Sequence, residues 1–256
     1  MKWIVVPCYN EASRLDTRAF APLADDPLIH VLFVDDGSAD STRQVLKRTC
    51  KTFPPGKAEV LCLPTNQGKG EAVRQGMLFA LLRGAVHVGF IDADLATPVP
   101  EVLRLLKTLE TAPYQIVMGS RVQMLGTQIE RRALRHYLGR CFSTFASLTL
   151  HLRVYDTQCG AKFFKAHPAV LRALSTPFFS RWIFDLELIA RLLDSNATAR
   201  LRVDDFLEVP LREWRDRRGS KLSSMGMVRA GWDLLRLFLQ LHRLQIPLLA
   251  SRKTLS

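Results

Sequence analysis

The sequence predicts an α/β fold with a mostly parallel central sheet, followed by amphipathic helices. Three observations carry this. Short runs rich in Val, Ile and Leu alternate with helix-like segments; polar motifs recur at the ends of those runs; and beyond Arg121 the texture changes to basic amphipathic stretches. Such alternation predicts right-handed crossovers with helices on both faces of the sheet. Ligands then bind beyond the carboxyl ends of the strands, where the polar motifs fall.

In order, strands are expected at Trp3 to Val6, Val31 to Val34, Val60 to Leu63, Val86 to Ile91 and Gln115 to Met118. Helices are expected between them at Glu11 to Ala24, Ser41 to Cys50, Lys69 to Arg83 and Pro100 to Glu110. In residues 129 to 150, Ile129, Ala133, Tyr137, Cys141 and Phe145 recur at i+4 while Arg131, Arg132, Arg135 and Arg140 cluster, the pattern of a basic amphipathic helix. Residues 226 to 246 are apolar around most of a helix, with a polar stripe of Arg229, Asp233, Arg236, Gln240 and Arg243. Charges interrupt that run too often for a bilayer span, yet its apolar arc is wider than a surface helix needs, so it docks on protein or on lipid. Trp232 and Phe238 beside the arginines suit a membrane interface. The division expected is a main domain over residues 1–222, containing the interface helix near 129–150, and a C-terminal interface segment over 223–256.

Composition excludes a disordered or fibrous chain: 48% of the 256 residues are hydrophobic and 23% charged. The five cysteines, Cys8, Cys50, Cys62, Cys141 and Cys159, are scattered and odd in number, which indicates neither a disulfide framework nor a zinc site and suits a reducing cytoplasm. The first apolar run is too short for a signal peptide or a span and reads as a strand. The net charge of +12 is unevenly placed: residues 1 to 120 balance 13 Lys and Arg against 13 Asp and Glu, whereas residues 121 to 256 hold 23 against 11. The second half therefore points to an anionic partner or to a solvated basic face.

Three turns carry the candidate chemistry. In DDGSADST, residues 35 to 42, Asp35 and Asp36 end a strand, where they can accept hydrogen bonds from a base or a ribose; Gly37 permits a tight turn, and Ser38 or Asp40 can cap the next helix. In HVGFIDADLATP, residues 87 to 98, Asp92 and Asp94 flank Ala93, and strand alternation puts both carboxylates on one face as hard oxygen ligands for Mg2+ or Mn2+. The stretch NQGKGEAVRQGM lacks the spacing of a nucleotide P-loop, so Lys69 and Arg74 are read at the start of a helix flanking the pocket.

Taken in order, VPCYNE, DDGSADST, NQGKGEA, DADLATP, MGSR, DTQCGAKFF, RWIFDLE and RRGSKL resemble family 2 glycosyltransferases, in particular the polyprenyl-phosphate sugar synthases, over residues 3 to about 222. The resemblance implies a Rossmann-like GT-A fold. It implies that Pro7, Tyr9, Asn10, Glu11, Asp35 and Asp36 line the nucleotide site with Lys69 and Ala93, and that Asp92 and Asp94 hold the metal on the diphosphate. Arg121, with Arg218, Ser220 and Lys221, would meet phosphates; Asp156, Gln158, Asp185 and Glu187 would border the transfer site. Leu95-Ala96-Thr97-Pro98 stands where mannose synthases carry a Leu-Gln pair, which favours the glucosyltransferase branch and UDP-glucose over GDP-mannose.

The expected partners are a nucleotide sugar, a polyprenyl phosphate and the cytoplasmic face of a membrane, held peripherally with a membrane-anchoring subunit or a second copy of the chain. A phosphate acceptor needs no general base, since its second pKa lies near about 6. A hydroxyl acceptor would need one of Asp156, Asp185 or Glu187. A basic nucleotide- or nucleic-acid-binding module is the non-enzymatic alternative, disfavoured because no aromatic RNA-binding motif is present; nucleic acid is not an expected partner.

Overall fold

The computed structural model describes residues 1–130, 154–181 and 183–215. The chain runs through β1 (Lys2–Cys8), a 3-10 helix (Thr17–Asp25), β2 (Ile29–Asp35), α1 (Thr42–Cys50), β3 (Ala58–Cys62), α2 (Lys69–Leu82), β4 (His87–Phe90), α3 (Val99–Thr111) and β5 (Ile116–Ser120). It continues through β6 (Gln128–Glu130), β7 (Lys162–Lys165), α4 (Pro168–Leu174), α5 (Phe184–Leu193), a short 3-10 turn (Val203–Asp205), β8 (Phe206–Pro210) and β9 (Glu213–Arg215).

Among the described residues seven strands form one sheet in the order β3-β2-β1-β4-β7-β5-β8. All neighbours are parallel except β7, which runs antiparallel to both β4 and β5. The expected mostly parallel sheet is therefore present, and all five expected strands and the last three expected helices occur within a few residues of their predicted bounds. Both faces are covered, which is why β1 and β2 read as unbroken apolar runs. Alternate residues of β1 serve opposite layers: Trp3 and Val5 pack with α2 residues Val73 and Met77, while Ile4 and Val6 pack with Leu46 of α1 and Val102 and Leu105 of α3.

Two expected helices change. Over residues 11 to 24 the chain makes one turn, with the Arg14 and Leu15 amides on the Glu11 carbonyl, and then restarts as a 3-10 helix. Asp16 causes the restart by accepting from the Arg18 and Ala19 amides at 3.2 and 3.3 Å, and Pro22 supplies no amide for an α-helical bond. The helix expected from 129 begins instead as strand: Gln128, Ile129 and Glu130 pair in parallel with Glu213, Trp214 and Arg215. Burial of Ile129 and Trp214 in the core fixes that pairing. The rest of that segment, residues 131–150, lies outside the described residues, as do the helix expected over 226–246 and the motif containing Arg218, Ser220 and Lys221.

Candidate active site

Strand order reverses at β1, which has β2 on one side and β4 on the other, and the loops leaving these three strands meet at the carboxyl edge of the sheet. Pro7 is the penultimate residue of β1, and after Cys8 the chain turns away through Tyr9 and Asn10, Asn10 at φ 51°. This loop is tied to the one after β2. The Asn10 amide donates to Ser38 Oγ at 3.0 Å, the Ala39 amide to Asn10 Oδ1 at 2.9 Å, and the Glu11 amide to Thr42 Oγ1 at 2.7 Å. Ser38 thus braces the Tyr9–Asn10 loop rather than capping α1, and Asp40 takes the Thr42 amide at 2.9 Å.

The two aspartates that end β2 diverge. Asp35 accepts the Ser38 amide at 3.1 Å and stays within its own turn. Asp36 points the other way and gathers the 66–68 loop, accepting Asn66 Nδ2 at 2.9 Å and the Gln67 and Gly68 amides at 2.8 Å each. Burial pushes the Asp36 carboxyl above its ordinary range against those hydrogen bonds. Gly37 lets the turn pass the second loop: at φ +64°, a β-carbon there would lie 2.5 Å from the Thr65 carbonyl carbon. Arg181 closes the same loop from outside, donating to the Asn66 carbonyl at 3.1 Å.

Asp92 and Asp94 come together by a mechanism other than the expected strand alternation. β4 ends at Phe90, and residues 92 to 95 form a turn in which the Leu95 amide meets the Asp92 carbonyl at 3.1 Å and Leu95 takes φ 49°. Asp92 pairs with Lys69 Nζ, the first residue of α2. Burial raises the Asp92 carboxyl, but Lys69, Arg121 and Lys162 together more than offset this and hold it below its ordinary range. Asp94 is pushed up, first by burial and then by the charge of Asp92; its Oδ1 accepts the Ala96 amide at 3.0 Å. Ala93 is buried between them. Arg14 pairs with Glu11, and both lie near enough to Asp94 to feel its charge.

Arg121 and Asp156 occupy the opposite wall as a two-pronged pair, Nε to Oδ2 at 2.6 Å and Nη2 to Oδ1 at 2.7 Å, with the Trp214 ring 5.4 Å from the guanidinium. Burial lowers the Arg121 pKa, but Asp156 overrides it and the net shift is upward. Glu208 of β8 holds the backbone amides of Tyr155 and Asp156 at 2.7 and 2.6 Å. Gln158 sits half-buried on this loop, its amide 3.3 Å from Asp156 Oδ1.

Asp185 and Glu187 do not open onto the cleft as bases. Asp185 is buried against Lys162 Nζ at 2.5 Å, and Glu187 accepts the Phe179 amide at 3.1 Å and Arg191 Nη2 at 2.6 Å. Lys162, Arg181 and Glu208 were not singled out from the sequence. For Lys162 a signal existed, a lone cation inside the apolar run Ala161 to Phe164. For Glu208 there was none beyond a strand alternation of ordinary appearance.

A parallel-sheet crevice lined by a paired-aspartate turn, a second strand-end aspartate and facing cations defines a nucleotide-dependent transferase. Residues 3–170 match glycosyl transferase family 2, and the chain belongs to that family. It is 32% identical over 259 residues to human dolichyl-phosphate beta-glucosyltransferase, covering 91% of this chain and 73% of the relative. With the Saccharomyces cerevisiae enzyme of the same name it shares 30% over 240 residues, covering 86% and 68%. The fold is that of glucosyl-3-phosphoglycerate synthase from Mycobacterium tuberculosis. The complex of that protein with UDP superposes with a TM-score of 0.67 at 21% identity, covering 97% of this chain and 82% of the other. Its complex with Mn2+, UDP-glucose and phosphoglyceric acid gives 0.65.

Proposed function

We propose that this glycosyltransferase moves glucose from UDP-glucose to a polyprenyl phosphate with inversion at the anomeric carbon. The observation that carries the reading is the Asp92–Asp94 turn facing the Asp35 turn across the edge of β1, with Lys69 between the loops. Nucleobase and ribose would contact Pro7, Tyr9, Asn10, Glu11 and Asp35. Asp36 contributes by fixing the neighbouring loop. The similarity to dolichyl-phosphate beta-glucosyltransferases supports glucose over the GDP-mannose alternative.

A Mg2+ or Mn2+ ion fits the donor set: two hard carboxylates a residue apart, one of which, Asp94, keeps Oδ2 clear of the backbone amide that binds Oδ1. Among the described residues no group of three or more His, Cys, Asp or Glu surrounds a single point, so diphosphate and water oxygens would complete the shell. When bound, the ion would neutralise charge on the departing diphosphate. An acceptor phosphate oxygen attacks the anomeric carbon from the face opposite the donor diphosphate. The bond to that carbon forms as the bond to the diphosphate oxygen breaks, and UDP leaves with the electron pair. The acceptor is already largely dianionic at neutral pH, so no side chain need take a proton. This agrees with the engagement of Asp185 and Glu187 in buried ion pairs. Arg121, oriented by Asp156, would meet phosphate; Arg218, Ser220 and Lys221, outside the described residues, would have the same role.

The organisation proposed is a transferase domain over residues 1–222 and an interface segment over 223–256, seated peripherally on the cytoplasmic face of a membrane, with a partner subunit or second copy adding attachment. No helix among the described residues is long and apolar enough to cross a membrane. Purified protein with Mn2+ or Mg2+ and labelled UDP-glucose should glucosylate dolichyl or undecaprenyl phosphate, in preference to phosphoglyceric acid, and should use GDP-mannose poorly. Failure to form a lipid-linked sugar with any donor would reject the assignment.

A further inference from the structure

Lys162 is the fully buried cation of the described chain that the transfer chemistry leaves unused. It opens β7 and pairs in register with Phe90 of β4 and Met118 of β5, so its side chain starts in the centre of the sheet. Its ammonium donates to the Cys159 carbonyl at 2.6 Å and to Asp185 Oδ1 at 2.5 Å, and lies 5.4 Å from the Phe90 ring centre. Burying a charge this deeply is costly unless each contact is specific. The next peptide shows what the contact does. Gly160 follows the anchored carbonyl and is packed so tightly on Asp92 that a β-carbon there would stand 1.9 Å from Asp92 Oδ2. Asp92 is thus held between Lys69 on one oxygen and the Gly160 backbone beside the other.

We propose that Lys162 and Asp185 are positioning residues for the metal-binding turn: the pair pins the Cys159–Gly160 peptide, which in turn seats the Asp92 carboxylate. The chain of contacts runs Asp185, Lys162, the Cys159 carbonyl, Gly160, Asp92. Asp185 therefore serves the reaction from below the sheet edge. This rests on the assignment of Asp92 and Asp94 to a divalent cation made above.

Groups supporting a metal ligand from behind typically change metal affinity about 10- to 100-fold when lost. Two variants test the inference from different ends of the contact chain. Lys162→Met with Asp185→Leu removes both charges together and avoids an orphaned ion. Gly160→Ala leaves the pair intact and intrudes directly on Asp92. Mn2+ binding in the presence of UDP is read by electron paramagnetic resonance of the free ion, with folding checked by circular dichroism. Both variants should bind Mn2+ about tenfold or more weakly, and the donor KM, raised at limiting Mn2+, should fall back towards wild type at saturating Mn2+. Folded variants that hold Mn2+ within about twofold of wild type would overturn the positioning role. If the double variant does not fold, Asp185→Asn, which keeps an oxygen for Lys162 but removes the charge, takes its place beside Gly160→Ala. Wild-type protein that fails to bind Mn2+ with UDP would instead reject the metal assignment itself, so the two failures are distinguishable.

Discussion

Arg121 and Asp156 meet through two parallel hydrogen bonds of 2.6 and 2.7 Å, and a third, from the Arg121 backbone amide to the same carboxylate at 3.0 Å, locks the pair to the end of β5. Read separately, one residue suggested a phosphate clamp and the other a residue of the transfer site. Joined, they form one ion pair in which the carboxylate orients the guanidinium. Planar two-pronged pairing fixes the guanidinium plane as well as its position, which a lysine could not reproduce.

With side chains only 16% and 7% exposed, the pair is sheltered enough for loss of one partner to be felt. Asp156→Ala should lower the free energy of unfolding by about 3 kcal/mol, because it leaves Arg121 without its counter-ion. Arg121→Met combined with Asp156→Leu should recover much of that loss. Urea unfolding measures both, and a single-variant change below about 1 kcal/mol would show that solvent already screens the pair.

Asp94→Asn should reduce glucosyl transfer by about 100-fold or more while leaving the melting temperature near wild type, since its Oδ1 contact to the Ala96 amide can persist. Asp92→Asn should be less benign to the fold, as it withdraws the countercharge of Lys69. Initial rates and thermal melts on the two variants separate these effects. Equal activity of Asp94→Asn and wild type would remove Asp94 as an essential metal ligand.

Asp36→Ala should raise the donor KM more than it lowers kcat, because it releases three donors of the 66–68 loop rather than a group in contact with the reacting atoms. The loss of three hydrogen bonds to a charged acceptor should cost about 3 kcal/mol of stability or more. A variant with unchanged stability and an unchanged KM would show that the loop holds its shape without them.

Acid should destabilise the chain partly through His87. Burial, together with the charges of Lys165 and Lys2, depresses its pKa below the ordinary 6.5 despite the opposing pull of Glu110. Below pH 6.5 the unfolded chain binds this proton more readily than the folded one, so stability present above that value is lost as the pH falls through the folded pKa. Substituting His87→Gln should flatten the decline in unfolding free energy across that window. An unchanged slope would assign the decline to other groups.

The main sheet was legible because its strands are buried on both faces and announce themselves as apolar runs. β7 was not: its four residues, Lys162–Lys165, begin and end with lysine, and the reversal of direction depends on partners far away in sequence. Asp92 and Asp94 were expected at a strand end by alternation; the strand ends at Phe90 and they lie in a turn instead, since the left-handed backbone of Leu95 follows from tertiary packing rather than from residue preference. The division of labour between Asp35 and Asp36 was equally invisible. Two adjacent carboxylates look alike in a sequence, and only the approach of the 66–68 loop distinguishes them. Pairings such as Lys162 with Asp185 join positions 23 residues apart that no local pattern connects.

The placement of Asp36 leaves the start of α2 with its own internal anion. The amides of Gln67 and Gly68, at the mouth of α2, are where a free phosphate would settle if they were vacant. The protein has filled that berth with its own carboxylate. Those two amides are thereby closed to any other anion. On the proposed reading a diphosphate donor would be held by side chains and a bound cation rather than by these two amides.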